Sequence, residues 1–278
     1  MLGAGEARGG TIETRESACQ GLGESRLSNH KLMLPNALSW VRSFLFSIPL
    51  IIASAVGTGM AVLTGALLGL GGDFQNRCMR LGAQMILRAS LVRVTVSGLE
   101  KIDPVKTYVF CSNHLSYMDP PVLLACLGYR VRFLAKESLF AVPFLGWAMR
   151  GAGYVPIERE KSRAAARGLA RAAETLRSGN SIIVFPEGRR SRDGALHPFL
   201  SGGFRLALDA QASVVPLAIV GTRQVLAPGS IHVRGGRVQL IVGDPISTLG
   251  MTAGERKRLA DRVRNEIKEM LSKATAAN

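Results

Sequence analysis

The stretch TYVFCSNHLSYMDPP, residues 107–121, decides the fold class because its character changes in the middle. The first six residues form a short run rich in β-branched and aromatic side chains, which is typical of a strand covered on both faces. The last two, Pro120 and Pro121, suit the first turn of a helix. The stretch therefore predicts a strand that leads directly into a helix.

The same alternation of short apolar runs and helical spacing continues along the chain. A helix is predicted from Ser162 to just before Gly179, and a last helix follows a capping box of Thr252 and Glu255. Further strands are predicted at 92–96, 130–135, 181–186, 214–220 and 238–243. Alternating strands and helices predict an α/β fold with a largely parallel central sheet flanked by helices.

An uncharged run covers residues 44–72. It exceeds the about 20 apolar residues that a helix needs to cross a bilayer, and it begins too deep in the chain for an ordinary signal peptide. It predicts an N-terminal hydrophobic helical membrane anchor. A single spanning helix and a re-entrant hairpin both fit, because Pro49 and several glycines offer breaks. A buried core helix is the least favoured interpretation, since such a helix rarely lacks any polar anchor over this length.

Three regions follow from this pattern. Residues 1–43 are nearly neutral and aperiodic, which predicts a flexible tail. Residues 44–90 form the anchor together with a mixed basic and apolar stretch at 76–92, which fits either a helix at the membrane surface or a helix docked on the domain. Residues 91–278 form the globular domain.

The charge balance restricts the partners. The chain holds 35 Lys and Arg against 20 Asp and Glu, a net charge of +15, which points to nucleic acid, a phospholipid surface or a phosphorylated small molecule. A P-loop NTPase is disfavoured because the pattern GxxxxGK[ST] is absent, and no aromatic stacking platform supports nucleic acid. The four cysteines and four histidines lack zinc-ligand spacing, so no metal site is expected.

The candidate catalytic pair is His114 and Asp119. On a regular helix, five residues correspond to a rotation of about 500°, which leaves two side chains about 140° apart. They meet only if His114 precedes the helix and Asp119 lies in its first turn. The carboxylate would then orient one imidazole nitrogen and leave the other as a base. Taken alone, this spacing is weak and favours a histidine that merely caps the helix.

A basic loop strengthens the functional interpretation. The segment FPEGRRSRDG, 185–194, also follows a predicted buried strand, and its arginines offer the paired donors that suit phosphate. This loop leaves the sheet at the same end as His114. Arg159 adds another cation at the end of a short strand in GYVPIER, residues 153–159.

The blocks NHLSYMD, GYVPIER, FPEGRRS and VVPLAIV resemble, in order and spacing, the four blocks of the glycerolipid acyltransferases. The resemblance covers about residues 90–245 and is closest to the bacterial 1-acyl-sn-glycerol-3-phosphate acyltransferases. It implies that 91–278 is an acyltransferase domain, with His114 as general base and Asp119 as its orienting partner. It also implies an acceptor-phosphate site made by Arg159, Glu187, Gly188 and Arg190, with Lys136 nearby.

The resemblance further implies a reaction and a location. An acyl group would pass from acyl-CoA or acyl carrier protein to the free hydroxyl of lysophosphatidic acid, giving phosphatidic acid for phospholipid biosynthesis. It implies no metal, no cofactor beyond the thioester co-substrate and no nucleic-acid partner. The enzyme would sit on the inner, cytoplasmic membrane with its catalytic domain facing the cytoplasm.

Two positions depart from the family's pattern, and both lie at the polar rim of the expected site. Arg189 replaces the usual threonine of E-G-T-R, and Ser201 stands where the family often has lysine. The acceptor therefore stays open among lysophosphatidic acid, a lyso-ornithine lipid, another lysophospholipid and glycerol-3-phosphate. A non-catalytic basic membrane-binding protein is the alternative from another class.

Overall fold

The computed structural model describes residues 37–127, 130–158 and 162–276. The strands in these residues are β1 Val92–Ser97, β2 Val109–Ser112, β3 Val131–Lys136, β4 Val155–Ile157, β5 Ser181–Val184, β6 Val214–Val220 and β7 Gly236–Val242. They form one sheet in the order β1-β7-β6-β2-β5-β3-β4. Every neighbouring pair is parallel except β6 and β7. The predicted largely parallel sheet is confirmed.

Two of the predicted strands are shorter in the structure. β2 starts at Val109 rather than at residue 107, because the Tyr108 amide donates to the hydroxyl of Ser181 instead of to a strand backbone. β5 ends at Val184 rather than at residue 186, where Pro186 has no N–H to donate to a neighbouring strand.

The helices of the described residues pack on the sheet, and the first three precede its first strand in the chain. They are α1 Ala37–Arg42, α2 Ile48–Leu67, α3 Gly72–Ala89, α4 Asp119–Cys126, α5 Leu145–Gly151, α6 Ser162–Arg177, α7 Arg205–Ala210, α8 Thr222–Val225 and α9 Arg256–Ala276. The helix predicted from Ser162 and the capping box of Thr252 and Glu255 are both present.

Two apolar cores lie on opposite faces of the sheet, because successive residues of a strand point to opposite sides. Phe110 of β2 packs with Leu87 of α3 and Leu123 of α4 in one core. The preceding residue, Val109, packs with Leu176 of α6 and Leu259 of α9 in the other core. The sheet is therefore covered by helices on both sides.

The N-terminal helix is longer than the uncharged run. α1 starts at Ala37 and continues through a π-helical segment, Ser43–Ser47, into α2, so residues 37–43, which the sequence placed in the tail, are helical. Ala37–Leu67 is long and apolar enough to cross a membrane, and only 17% of its most apolar window is buried. The rest of the predicted tail lies outside the described residues.

A hairpin follows the end of α2. The chain turns after Leu67 and returns as α3, which packs along α2 and also contacts α4. The stretch 76–92 is therefore helical to Ala89 and docked on the domain. Close approach of α2 and α3 requires small residues, since a Cβ on Gly82 would overlap Thr58.

The start of the N-terminal helix is fixed to the loop before β7. The rings of Trp40 and His232 stack with centroids 4.0 Å apart, and His232 Nε2 lies 2.8 Å from Ser39 Oγ. Arg42 donates to the carbonyl of Val233 at 2.9 Å. The N-terminal helix is thus attached to the domain by polar and aromatic contacts as well as by apolar packing.

Candidate active site

His114 and Asp119 meet at the junction between β2 and α4. β2 ends at Ser112 and α4 begins at Asp119, so His114 precedes the helix and Asp119 is its first residue. The His114 Nδ1 and Asp119 Oδ2 atoms are 2.7 Å apart. Because the carboxylate can only accept, Nδ1 carries the proton, and Nε2 is left as the basic nitrogen. The histidine side chain keeps 17% of its surface exposed.

Asp119 is fully buried and accepts hydrogen bonds on both of its oxygens. Oδ2 also takes the backbone N–H groups of Leu115 and Ser116, at 2.7 and 2.8 Å. The hydroxyl of Thr222, the first residue of α8, donates to Oδ1 at 2.6 Å. These donors satisfy the buried carboxylate and fix its position. Thr222 was not identified from the sequence.

An aromatic ring fixes the plane of the imidazole. Phe185 follows β5, and its ring stacks on His114 with centroids 4.0 Å apart and an angle of 16° between the planes. Phe133 of β3 stacks behind Phe185 at 6.0 Å. The ring of His114 is therefore held on one face by packing and at Nδ1 by the carboxylate.

The backbone on either side of His114 is also anchored. The side-chain amide of Asn113 donates to the carbonyl of Ile219 at 2.9 Å and accepts from the Ile219 N–H at 2.8 Å, which joins the end of β2 to β6. The N–H of Ser191, in the basic loop, donates to the carbonyl of His114 at 2.8 Å. The basic loop is thus bonded directly to the histidine.

Glu187 contacts backbone groups in the structure. Its Oε1 accepts from the His114 N–H at 2.9 Å, and its Oε2 accepts from the His197 N–H at 3.0 Å. Burial raises the pKa of this carboxyl, although the two N–H groups act in the opposite direction. The following Gly188 has φ +76°, a conformation that a residue with Cβ adopts at a cost. Both residues shape the loop beside His114.

The basic residues of the predicted phosphate site differ in where the structure places them. The guanidinium of Arg190 lies over the ring of Tyr117, with its central carbon 3.4 Å from the centroid, and its Nη1 is buried with no hydrogen-bond partner. Lys136 is exposed at the carboxyl end of β3. Arg159 lies outside the described residues.

No group of three or more His, Cys, Asp or Glu side chains is placed to hold a metal ion within residues 37–127, 130–158 and 162–276.

Residues 93–220, from β1 to the end of β6, match the family model described as acyltransferase. This range includes His114, Asp119, Glu187, Gly188 and Arg190. This part of the chain is similar to the acyltransferase family. The resemblance inferred from the four sequence blocks is confirmed.

Individual acyltransferases match beyond this range. The chain is 35% identical over 182 residues to a chloroplast 1-acyl-sn-glycerol-3-phosphate acyltransferase of Brassica napus, which is 65% of this chain and 51% of that protein. It is 28% identical over 193 residues to a 1-acyl-sn-glycerol-3-phosphate acyltransferase of Borreliella burgdorferi, covering 69% and 77% of the two chains. The chain spans about half the length of the plant relatives that it matches.

A crystal structure shares the fold. The 1-acyl-sn-glycerophosphate acyltransferase PlsC of Thermotoga maritima superposes with a TM-score of 0.73 at 26% identity. The match covers 87% of this chain and 96% of the Thermotoga chain, so it extends beyond residues 93–220 into the flanking elements.

Proposed function

We propose that this protein transfers a fatty acyl group from an acyl thioester to the free hydroxyl of 1-acyl-sn-glycerol-3-phosphate, giving phosphatidic acid. The observation that carries the proposal is the 2.7 Å contact between His114 and Asp119 at the carboxyl end of β2, beside a loop that bears Arg190. The names of the relatives support lysophosphatidic acid as the acceptor.

His114 acts as the general base. Its Nε2 takes the proton of the acceptor hydroxyl as the oxygen attacks the thioester carbonyl, and a positioned base contributes about 10²–10⁴-fold to such a step. Collapse of the tetrahedral intermediate breaks the C–S bond, and the leaving thiolate takes the proton from His114. Asp119 holds the tautomer with the proton on Nδ1 and stabilises the imidazolium that forms.

Arginine positions the acceptor. Arg190 binds the phosphate, because its buried Nη1 has no hydrogen-bond partner and its guanidinium is held flat on Tyr117. Arg159 and Lys136 supply further positive charge to the same phosphate. Glu187 and Gly188 act indirectly, by fixing the loop and the backbone of His114. Holding the phosphate presents the free hydroxyl to Nε2, which supplies the orientation part of catalysis.

Residues 44–90 attach the enzyme to the membrane in which its acceptor and product reside. The exposed apolar surface of α2 supports this attachment. The enzyme sits on the inner membrane with its catalytic domain on the cytoplasmic side, where acyl-CoA and acyl carrier protein are available.

The proposal is tested with the full chain purified in detergent. Radiolabelled lysophosphatidic acid, a lyso-ornithine lipid, another lysophospholipid and glycerol-3-phosphate are each offered with acyl-CoA and with acyl carrier protein. We expect transfer to lysophosphatidic acid, and its loss in His114→Ala with an unchanged circular dichroism spectrum. Preferred acylation of another acceptor would refute the substrate, and a fully active His114→Ala enzyme would refute the mechanism.

A further inference from the structure

A second apolar surface lies outside the N-terminal helix, in residues 138–149 between β3 and the end of α5. This segment contains no charged residue. It nevertheless exposes large apolar side chains to an extent that is unusual for a domain surface. They are Leu139 (41%), Val142 (44%), Phe144 (56%), Leu145 (47%) and Trp147 (49%), which we call the α5 patch.

The backbone of the patch is strained where it exposes an aromatic ring. Phe144 has φ +62° and ψ −54°, and the N–H of Leu145 bonds to the carbonyl of Pro143 at 2.7 Å, which closes a γ-turn. This type of γ-turn is rare and costs free energy in a residue that is not glycine. Glycine would adopt the turn at lower cost. Phe144 remains 56% exposed, so burial within this chain offsets only part of this cost.

The α5 patch continues the apolar surface of the N-terminal helix. α5 packs on the middle of α2, where a Cβ on Gly59 would lie 3.4 Å from the Ala148 Cβ. α2 itself exposes Ile52, Val56 and Met60. Trp147, whose ring meets that of Phe144 edge-on at 5.2 Å, belongs to the residue type that is enriched at membrane–water boundaries.

The patch also lies at the edge of the sheet that carries the site. It follows the carboxyl end of β3, and His114 follows the carboxyl end of β2. These two strands flank β5 and run in the same direction. A bilayer that contacts the patch therefore lies toward the edge of the sheet at which the acceptor has to bind.

We propose that the α5 patch inserts into the lipid bilayer beside α2, so that the catalytic domain itself contributes to membrane binding. The inference rests on the proposed membrane attachment of residues 44–90. A lipid surface fits better than a second copy of this chain because the patch is continuous with the exposed apolar stripe of α2.

Tryptophan fluorescence tests the insertion directly, because the chain contains only two tryptophans. In full-length Trp40→Phe, Trp147 is the single reporter. The protein is reconstituted into phosphatidylcholine and phosphatidylglycerol vesicles with ordinary or brominated acyl chains. We expect brominated lipid to remove most of the Trp147 emission and aqueous acrylamide to quench little of it. The control is a variant without native tryptophans that carries Arg171→Trp on the exposed face of α6. We expect acrylamide to quench this tryptophan strongly and brominated lipid to quench it little.

Two results would overturn the proposal. Quenching of Trp147 by acrylamide but not by brominated lipid would place the patch in water. Trp147 could instead be protected from both quenchers and lose this protection when the protein is diluted in the vesicles. That result would show that a second copy of the chain covers the α5 patch. Both readings are independent of acyl transfer, so they separate this proposal from the proposed reaction.

A second variant connects the patch to substrate access. Phe144→Gly removes the exposed ring and relieves the strained turn, so it is not expected to impair folding. We expect a several-fold higher apparent KM for a lyso-acceptor presented in vesicles, and an unchanged KM for the same acceptor in detergent micelles. An equal change in both presentations would contradict a role in membrane contact.

Discussion

Asp119 receives its hydrogen bonds from two distant parts of the chain. The N–H groups of Leu115 and Ser116 come from its own turn, whereas the hydroxyl of Thr222 comes from a residue 103 positions later, at the start of α8. The turn donors bond the same oxygen that faces His114, and Thr222 bonds the other oxygen. Thr222 therefore restrains the rotation of the carboxylate, and we propose it as a positioning residue for the base.

Replacing Thr222 by valine keeps its shape and removes the hydroxyl. A buried acceptor left without its donor costs about 1–3 kcal/mol, so we expect kcat on the order of 10-fold lower with little change in the KM for either substrate. Thr222→Ser should restore most of the activity because it restores the donor. Steady-state kinetics of the three proteins test this, and equal losses in Thr222→Ser and Thr222→Val would instead indicate a packing role.

Arg190 is expected to act on the acceptor and not on the acyl donor. A charge-assisted hydrogen bond contributes about 1.5–3 kcal/mol, so Arg190→Ala should lower kcat/KM for lysophosphatidic acid by roughly 10- to 100-fold. The KM for the acyl donor should change little. Arg171→Ala, on exposed α6, removes the same charge away from the site and serves as the control. A defect confined to the donor KM would assign the loop to the acyl carrier.

At the scale of elements, small residues determine how closely α2 and α3 pack. A Cβ on Gly82 of α3 would overlap Thr58 of α2, and a Cβ on Gly65 of α2 would overlap the Phe74 ring of α3. Gly57, also in α2, has open space around it. Glycines in the two helices of one hairpin therefore differ in whether they are needed for packing or only tolerated.

The two kinds of glycine predict opposite effects of a single methyl group. Gly57→Ala should be neutral or stabilise the protein by up to about 1 kcal/mol, because alanine favours the helix. Gly82→Ala gains the same helix preference, but overpacking typically costs about 1–3 kcal/mol, so we expect a net loss. Thermal unfolding in detergent compares them, and Thr58→Ala should recover part of the loss in Gly82→Ala, because it removes two of the three overlapping Thr58 atoms. Equal unfolding temperatures for the two alanine variants would contradict the close packing.

At the scale of the whole molecule, His232 links the N-terminal helix to the domain. Its Nδ1 accepts from Arg234 Nε at 3.4 Å, so the ring is neutral with its proton on Nε2, facing Ser39. Burial lowers the pKa of His232, and the charges of Arg234 and Arg42 act in the same direction. Protonation would remove an acceptor and bring a third positive charge to this contact.

The attachment should therefore weaken in acid. Because the pKa of His232 is lowered on folding, its contribution is present above the ordinary value of 6.5 and is lost as the pH falls through the folded value. We expect the difference in unfolding free energy between the wild type and His232→Gln to shrink as the pH falls below 6.5. Chemical denaturation at several pH values measures this difference. The contributions of other titrating groups are common to both proteins and cancel in it. A difference independent of pH would contradict the prediction.

Features set by one turn of the chain were predictable, and features set by long-range contact were not. His114 and Asp119 are five residues apart, so the geometry of a single strand–helix junction determines whether they meet. Thr222 carries no local signal, because a threonine after a strand commonly starts a helix. The two backbone contacts of Glu187 could not be predicted either. Glycine and arginine in the loop indicate a ligand site, but they do not show that both carboxylate oxygens accept from backbone N–H groups.

The helix boundary near Ala37 shows the same difference between local and distant information. Absence of charge marks residues 44–72 in the sequence, but the helix begins earlier, at Ala37, and includes Arg42, which donates to the carbonyl of Val233, 191 positions away. A membrane-like composition therefore located the apolar helix but not its beginning. The uninterrupted apolar run of β2 indicated a strand covered on both faces, and an apolar core is present on each face of the sheet.

The bond from Glu187 to the backbone of His114 limits how this enzyme can evolve. In the proposed mechanism, the loop that carries Arg190 binds the phosphate and also supports His114, so it cannot be replaced independently of the base. A lineage that changes its acceptor while retaining activity has to keep the carboxylate and alter its neighbours, such as Arg189, which points to solvent. New head-group preferences are thus expected to arise from substitutions at the outer positions of the loop. Substitutions at Glu187 would be selected against whichever acceptor is used.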